Sequence, residues 1–450
     1  MMSRAFVLAA LACAVLSTTT ARAIARLPET HTWPTDPAPC DAAHTLQQCI
    51  DSAFSGDTVQ IATKGPIDES ISFAKELTLV AAAGVAPVFG GNQTISASTA
   101  NSAGDQTLVI QGLTLESGHI ACLQQGSGTA TIEILDDTIQ SGFAGGILIT
   151  ASPSTGPVAF QVSHNDLAVP DAQNVGISVD LEGSASATGV IADNRVAMVN
   201  QNSTGQELAG IYLSSPDGDL SADVITNRVT AEGGEGPSGI SVLRFQGSGT
   251  SEVRILDNLA TGAQVPMTAG IYANALSGSL SVKIANNTVD GKDLGIDVEN
   301  GPSGITVGSV ANNNITGNAV GLFVGTVGIV SNDHNLFFGN NTDVEGVSAG
   351  PGSLFTDPLY AGPGDFHLQP GSPAIDAGDD SAVPATDLDG NPITDLDGHP
   401  RIQGARVDIG AYETAPEPDA PVLAVTGLVA LLGLGRSRGT TAFRSPARRG

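Results

Sequence analysis

Apolar and polar residues alternate in short stretches along most of the chain, and one six-residue pattern returns repeatedly. In this pattern an apolar residue precedes an asparagine by three positions, and a second apolar residue follows it by two. Alternation with a period of two residues is typical of short β-strands that bury one face. The pattern is centred on Asp137, Asn165, Asn194, Asn227, Asn258, Asn287 and Asn313, and a shortened copy at Asn335 ends the series.

A second marker, a glycine followed by isoleucine or leucine, keeps the same period. Successive copies of either marker are 22 to 34 residues apart. Two independent markers that share one drifting period predict a repeat protein. We therefore expect an all-β fold, a right-handed parallel β-helix of nine to ten turns between Leu77 and Phe337, about 45 Å long at about 4.8 Å per turn. The glycines of this marker are Gly146, Gly176, Gly210, Gly239, Gly270, Gly295 and Gly321.

The repeated asparagine predicts a structural ladder rather than a ligand site. An asparagine at a fixed corner of every turn can exchange side-chain amide hydrogen bonds with its neighbours above and below. It thereby satisfies backbone groups of the turn that would otherwise be buried without a partner. Asp137 fills the same position in the first copy.

The N-terminal segment, residues 24–76, is expected to close the first turn of the β-helix. Leu46, Cys49, Ile50 and Ala53 recur at helical spacing and predict a short amphipathic capping helix. Cys40 is near enough to Cys49 to pair with it in an oxidising compartment. Cys122 alternates inward with Ile120 and is expected to stay reduced and buried.

Residues 1–23 have the layout of a secretory signal peptide. Arg4 precedes an apolar run from Ala5 to Leu16, and Ala21-Arg22-Ala23 fits the small-x-small cleavage rule. We therefore expect a secreted or cell-surface protein. The chain has 46 acidic and 18 basic residues, and seven of the basic residues lie in this segment or in the last 15 residues. So acidic a body repels nucleic acid and excludes nucleic-acid binding, while it favours solubility or divalent cations.

The opening of the repeat resembles a known family. The stretch from Thr45 to Asp51, followed by Gly56-Asp57-Thr58-Val59, is similar to the start of pectate-lyase-like parallel β-helix proteins. The resemblance extends to about Asn341 and implies a β-helix domain over residues 77–341. Residues 357–360, 366–378 and 406–413 resemble the choice-of-anchor Q region of bacterial surface proteins. It implies an irregular C-terminal region over residues 342–414.

A tandem Asp-x-Asp-Gly duplication interrupts that C-terminal region. Its carboxylates are Asp387, Asp389, Asp395 and Asp397. Calcium prefers several carboxylate and carbonyl oxygens around a turn that glycine permits, so these residues are candidate calcium ligands. The alternative is a pair of acidic turns that end the β-helix and keep that end solvated.

The last segment, residues 415–450, resembles a PEP-CTERM sorting tail. Pro416-Glu417-Pro418 precedes an apolar stretch from Val422 to Gly435 and then Arg436 and Arg438. This resemblance implies recognition and removal by a membrane exosortase. The tail after Gly439 is longer than the family pattern.

One stretch has the mixture of charges that a pectate-lyase-like reaction needs. Lys292 would act as the base, and Asp293, Asp297 and Glu299 would hold calcium against a uronate. The alternative is a lysine exposed in a turn among acids. An inverting glycosidase needs two opposed carboxylates. Asp136 and Asp137 are the only adjacent pair in the repeats, and Asp137 is expected to belong to the structural ladder.

A column of outward residues predicts a surface that binds glycans. In the Gly-Ile strands the isoleucine points inward, so the next residue points outward, and Tyr212, Tyr272 and Phe323 recur at every second turn. Flat aromatic rings about 10 Å apart suit the apolar faces of sugars. Two residues further along the strands, Asp180, Asn274 and Glu299 could bond sugar hydroxyls or hold calcium.

Taken together, the sequence predicts a monomeric, exported surface or matrix protein with a carbohydrate-binding or structural role and a polysaccharide as partner. The alternative is a calcium-dependent polysaccharide lyase or a glycoside hydrolase acting on an acidic polysaccharide.

Overall fold

The computed structural model describes residues 26–415 except 102, 141–144, 154, 171–174, 200–208, 234–237 and 326–329. The predicted signal peptide, residues 1–23, and the predicted sorting tail beyond Ala415 lie outside the described residues. Nearly all strands pair in parallel with the strand one turn later. The chain therefore forms a parallel β-helix with three faces, here called X, Y and Z in the order in which each turn visits them.

The X face contains the Gly-Ile strands. Its strands are Ile71–Ala74, Thr94–Ser98, His119–Gln124, Ile147–Ala151, Ile177–Leu181, Ala209–Ser214, Ser238–Arg244, the first parts of Ala269–Ala285 and Leu294–Ala311, Val320–Val324 and Thr342–Glu345.

The Y face precedes the asparagine corner. Its strands are Thr30–Trp33, Thr58–Ile61, Leu77–Ala81, Gln106–Gln111, Ala130–Leu135, Val158–Ser163, Ala187–Ala192, Leu220–Ile225, Thr250–Leu256, the last parts of Ala269–Ala285 and Leu294–Ala311, and Val330–Asp333.

The Z face follows that corner as a sheet of eleven described strands. They are Val88–Phe89, Thr114–Leu115, Thr138–Gln140, Asp166–Val169, Arg195–Val199, Arg228–Glu232, Leu259–Gly262, Thr288–Asp290, Asn314–Thr316, Leu336–Phe338 and Leu354–Phe355. All but Leu354–Phe355 begin between Leu77 and Phe337, which confirms the predicted number of turns.

The glycine of the Gly-Ile marker is required by close packing between the Z and X faces. A Cβ at Gly210 would lie 2.3 Å from Cγ1 of Val229, and one at Gly270 would lie 2.2 Å from Cγ1 of Val289. Both valines are buried core residues on the Z face. A larger residue would therefore force the turn apart, since interiors are packed without room to spare.

The asparagine corner is a continuous hydrogen-bonded ladder. Nδ2 of Asn227 donates to Oδ1 of Asn258 over 3.0 Å and to the carbonyl of Ile191 over 2.9 Å. Its Oδ1 accepts from the backbone and side chain of Asn194. The residue before each ladder position has positive φ, as at Thr226 and Asp257. The same side-chain bonding runs through Asn165, Asn194, Asn227, Asn258, Asn287, Asn313 and Asn335.

The β-helix begins earlier and ends later than the expected bounds of residues 77–341. Thr30–Trp33 already pairs in parallel with Thr58–Ile61, and Leu354–Phe355 pairs with Leu336–Phe338. The expected N-terminal helix is Leu46–Ser52, with Thr45 and Gln48 forming a capping box. No helix among the described residues is long and apolar enough to cross a membrane.

The cysteines confirm the expected pairing. Cys40 and Cys49 form a disulfide, and Cys122 is free and buried. Burial raises the pKa of the Cys122 thiol to about 12, so the reactive thiolate is scarce at neutral pH. Cys122 therefore acts as a small core residue.

The C-terminal region packs along the side of the β-helix, so the two acidic turns lie beside the β-helix rather than at its end, although Asp389 and Asp397 stay exposed. Arg254 forms an ion pair with buried Asp223, and Asp223 also accepts from the backbone of Leu388. Ile393 covers an apolar patch on the Y face made by Ile225, Leu256 and Ala285. The region contains an antiparallel hairpin, Tyr360–Gly362 with Asp365–Leu368, and the short 3-10 helix Asp380–Ala382.

Candidate functional site

The predicted outward column on the X face exists in register. Successive turns align Leu148, Ser178, Tyr212, Ser241, Tyr272, Asp297 and Phe323. The preceding isoleucines are fully buried in the core. A second column, two residues further along the strands, aligns Thr150, Asp180, Ser214, Leu243, Asn274 and Glu299.

The aromatic side chains of the first column are half-buried, and the residues between them are recessed. Ser178, Ser241 and Asp297 are buried, whereas Tyr212, Tyr272 and Phe323 stay partly accessible. The column is thus a row of aromatic ridges separated by polar hollows.

A polar cluster lies where the two columns meet near the C-terminal end of the X face. The hydroxyl of Tyr272 donates to Oε2 of Glu299 over 3.2 Å. Nδ2 of Asn274 donates to the Tyr272 hydroxyl over 2.6 Å and approaches Oε2 of Glu299 at 3.3 Å. Asn274 is 5% exposed, and its Oδ1 has no hydrogen-bond partner among the described residues.

Asp297 completes this cluster. It lies in register between Tyr272 and Phe323 and is 5% exposed. Its Oδ1 has no hydrogen-bond partner in the described part of the chain. Burial, reinforced by the charge of Glu299, raises the pKa of the Asp297 carboxyl to about 8. Asp297 is therefore largely protonated at neutral pH and can donate a proton.

Lys292 does not join this cluster, and the expectation of an exposed turn lysine is wrong. Its side chain is fully buried, and Nζ donates to the carbonyl of Ala231 over 2.6 Å. Burial lowers its pKa to about 8. Ala231 lies on the Z face, so the amine points into the corner between Z and X rather than onto the X face. The backbone of Met267 donates to Asp293.

The duplicated Asp-x-Asp-Gly carboxylates are engaged separately rather than gathered around one point. Asp387 accepts from the backbone and side chain of Asn391. Asp395 accepts from the backbone of Asp397 and of Glu413. Asp397 is paired with Arg228 and His367, while Asp389 lines a cavity. No group of three or more His, Cys, Asp or Glu side chains in the described ranges is arranged to hold a metal ion.

That cavity, of about 300 Å³, lies between the Y face and residues 387–394. Its polar groups already contact one another: Asp193 pairs with His164 at 3.6 Å, and Asn391 bonds Asp387. The X-face cluster, with two buried polar atoms that lack partners, is the stronger candidate site.

Sequence reasoning named Asp297 and Glu299 as calcium ligands but missed them as a carboxyl pair. Their spacing of two residues on one strand places both on the same face, and this signal was present in the sequence. The burial of Asp297 between two aromatic residues was not readable from its neighbours along the chain.

Comparisons with known proteins assign no family to this chain. No protein-family model matches the chain, and no curated protein matches it. Among solved structures, the crystal structure of pectate lyase Pel9A is similar to 86% of this chain and 97% of its own, with 11% sequence identity and a TM-score of 0.39. The parallel β-helix of this chain rests on its own strand pairing.

Proposed function

We propose that this protein binds a polysaccharide along its X face. The observation that carries the proposal is the column of half-buried aromatic rings in register on the X face, beside the polar cluster of Tyr272, Asn274, Asp297 and Glu299. Glu299 is the partly accessible carboxylate of this cluster, and a sugar hydroxyl can donate a hydrogen bond to it. Tyr212 and Phe323 extend the aromatic surface on either side, about 10 Å apart from Tyr272.

The charge of the two columns favours a neutral polysaccharide over an acidic one. Asp180, Asp297 and Glu299 are their ionisable acids, and neither column contains lysine or arginine between Leu148 and Phe323. A uronate would meet carboxylates without a compensating cation, whereas neutral sugars offer hydroxyls to the same oxygens. The proposal therefore departs from the acidic substrate that the sequence alternative named.

The test is affinity electrophoresis in gels containing soluble xylan, β-glucan, mannan, galactan or polygalacturonate. We expect retardation by at least one neutral polysaccharide, and about tenfold weaker binding by a Tyr212→Ala/Tyr272→Ala variant. Phe338→Ala, which removes an exposed aromatic from the Z face, is the matched control and should bind as the wild type does. Retardation by polygalacturonate alone, or unchanged binding by a folded double variant, would contradict the proposal.

We also propose that the chain is exported and that an exosortase-type enzyme removes its tail, leaving the β-helix at the outer surface or in the matrix. The support is the layout of residues 1–23 and 415–450, together with a disulfide, which suits an oxidising compartment. Intact-mass measurement of protein from the native host decides this. A C-terminus that still ends at Gly450 rules out sorting.

A further inference from the structure

The carboxyl pair on the X face has a spacing along its strand that suits inverting hydrolysis of a glycosidic bond. Asp297 and Glu299 lie two residues apart on the strand Leu294–Ala311 and point to the same face. At about 3.3 Å per residue their Cα atoms lie about 7 Å apart, and side chains that leave the strand in the same direction keep about this spacing. Inverting glycosidases separate their two carboxyl groups by roughly 6.5–9.5 Å, which leaves room for a water molecule, whereas retaining enzymes need only about 5–5.5 Å.

The two carboxyl groups have different surroundings: one is recessed, and the other is more accessible and accepts hydrogen bonds. Asp297 is recessed between Tyr272 and Phe323 and has an oxygen without a partner in the described structure. Glu299 is more accessible and accepts hydrogen bonds from the Tyr272 hydroxyl and from Asn274. Donors favour the ionised form of a carboxyl group, and an apolar enclosure favours the neutral form. Two carboxyl groups with opposed environments identify an acid and a base.

We propose that the protein hydrolyses the neutral polysaccharide that it binds, with Asp297 as general acid and Glu299 as general base. This inference rests on the proposed binding function and assigns a reaction to the same site. It needs water as the co-reactant and no metal ligand from the chain.

The Asp297 carboxyl donates its proton to the glycosidic oxygen while the bond between that oxygen and the anomeric carbon breaks. Glu299 accepts a proton from a water molecule whose oxygen bonds to the anomeric carbon from the opposite side. The products are a sugar with a new hydroxyl and a hemiacetal of inverted configuration. Proton exchange with solvent then restores both carboxyl groups.

The ridges beside the pair supply the positioning. Tyr272 donates to Glu299 through its hydroxyl and lies in register beside Asp297 on the neighbouring strand, so one residue adjoins both halves of the pair. Phe323 borders Asp297 on the other side. A sugar ring placed across these aromatics would bring its glycosidic oxygen over Asp297 and leave the water side to Glu299.

The experiment combines binding and turnover in the same set of proteins. Wild type, Asp297→Asn and Glu299→Gln are compared by affinity electrophoresis, by release of reducing ends and by thermal unfolding. Glu252→Gln removes an exposed carboxylate from the Y face and is the matched control. We expect both site variants to fold and to bind more weakly than the wild type, while hydrolysing bound polysaccharide at least about 100-fold more slowly, and the control to match the wild type. The first product detected by NMR should have the inverted anomeric configuration.

Each other outcome has a defined meaning. Binding without release of reducing ends overturns the hydrolysis and leaves the binding function standing. Retention of configuration, unsaturated ends, or unchanged rates in both site variants also overturns it. Failure to bind any polysaccharide in the panel overturns the binding function and the hydrolysis together.

Discussion

At the residue scale, Asp137 marks the place where the asparagine ladder is incomplete. Its Oδ1 accepts a hydrogen bond from the backbone N–H of Leu113, just as Oδ1 of each ladder asparagine accepts from a backbone N–H of the preceding turn. Its Oδ2, however, is buried without a partner among the described residues. In later turns an amide nitrogen fills the position of Oδ2 and donates to the next asparagine. Burial, with the nearby charge of Asp136, raises the pKa of Asp137 well above its ordinary value.

We expect Asp137→Asn to stabilise the protein at pH 7 by about 1 kcal/mol, since the new amide can donate to Asn165. The pKa of Asp137 is higher in the folded protein than in the unfolded chain, where it is near 4. The contribution of Asp137 to the free energy of unfolding is therefore fully present below pH 4 and is lost as pH rises through the folded-state pKa. The gain should therefore shrink toward pH 4. Urea midpoints of both proteins between pH 4 and 8 measure this, and Glu252→Gln, at an exposed position on the Y face, is the control. A gain that does not depend on pH would contradict the explanation.

At the element scale, the repeat could be predicted because each marker has a local physical cause. The glycine avoids a clash with a core residue of the Z face, and the asparagine side chain forms the hydrogen bonds that the backbone of its corner needs. The first Y strand, Thr30–Trp33, lacks both markers and was missed. The burial of Lys292 was missed because its partner, Ala231, is 61 residues away along the chain. Because the turns differ in length, the spacing of residues along the chain does not show which residues of different turns are in contact.

The N-terminal helix gives the prediction at this scale. Cys40 and Cys49 close a loop with a sequence separation of 9, for which loop-closure entropy predicts a stabilisation of about 2–3 kcal/mol. We expect a Cys40→Ala/Cys49→Ala variant to lose about this free energy of unfolding in denaturant titrations. Dithiothreitol should lower the free energy of unfolding of the wild type to that of the variant, and it should leave the variant unchanged. A reductant effect of equal size on both would assign the loss to another cause.

At the scale of the whole molecule, the C-terminal region is fastened to the β-helix by a buried group of charges with more acids than bases. Arg401 lies 3.2 Å from Asp257 of the β-helix and 3.3 Å from Glu413 of its own region, and all three are buried. Asp395 and Asp408 lie in the same group: Asp395 accepts from the backbone of Glu413, and the backbone of Asp408 donates to the Glu413 carboxyl. One guanidinium cannot neutralise so many carboxylates. Burial therefore raises the pKa of Asp257 to about 7 and that of Glu413 to about 8.

These raised values make the attachment depend on pH in a definite direction. When the region is detached, the carboxyl groups of Asp257 and Glu413 would both titrate near 4, so attachment is strongest below that value and weakens as pH rises through about 7 to 8. Hydrogen exchange of residues 342–415 should accordingly be slower at pH 5.5 than at pH 9, after correction for the intrinsic rate.

Glu413→Gln keeps the acceptor for the backbone of Asp408 and removes one titrating group, so it should reduce that difference, whereas Glu252→Gln should not. Exchange in the ladder, from Asn165 to Asn313, serves as the internal reference, because those amides are held by groups that do not titrate. Equal protection of residues 342–415 at both pH values would mean that the buried carboxyl groups keep their charge and that Arg401 balances them after all.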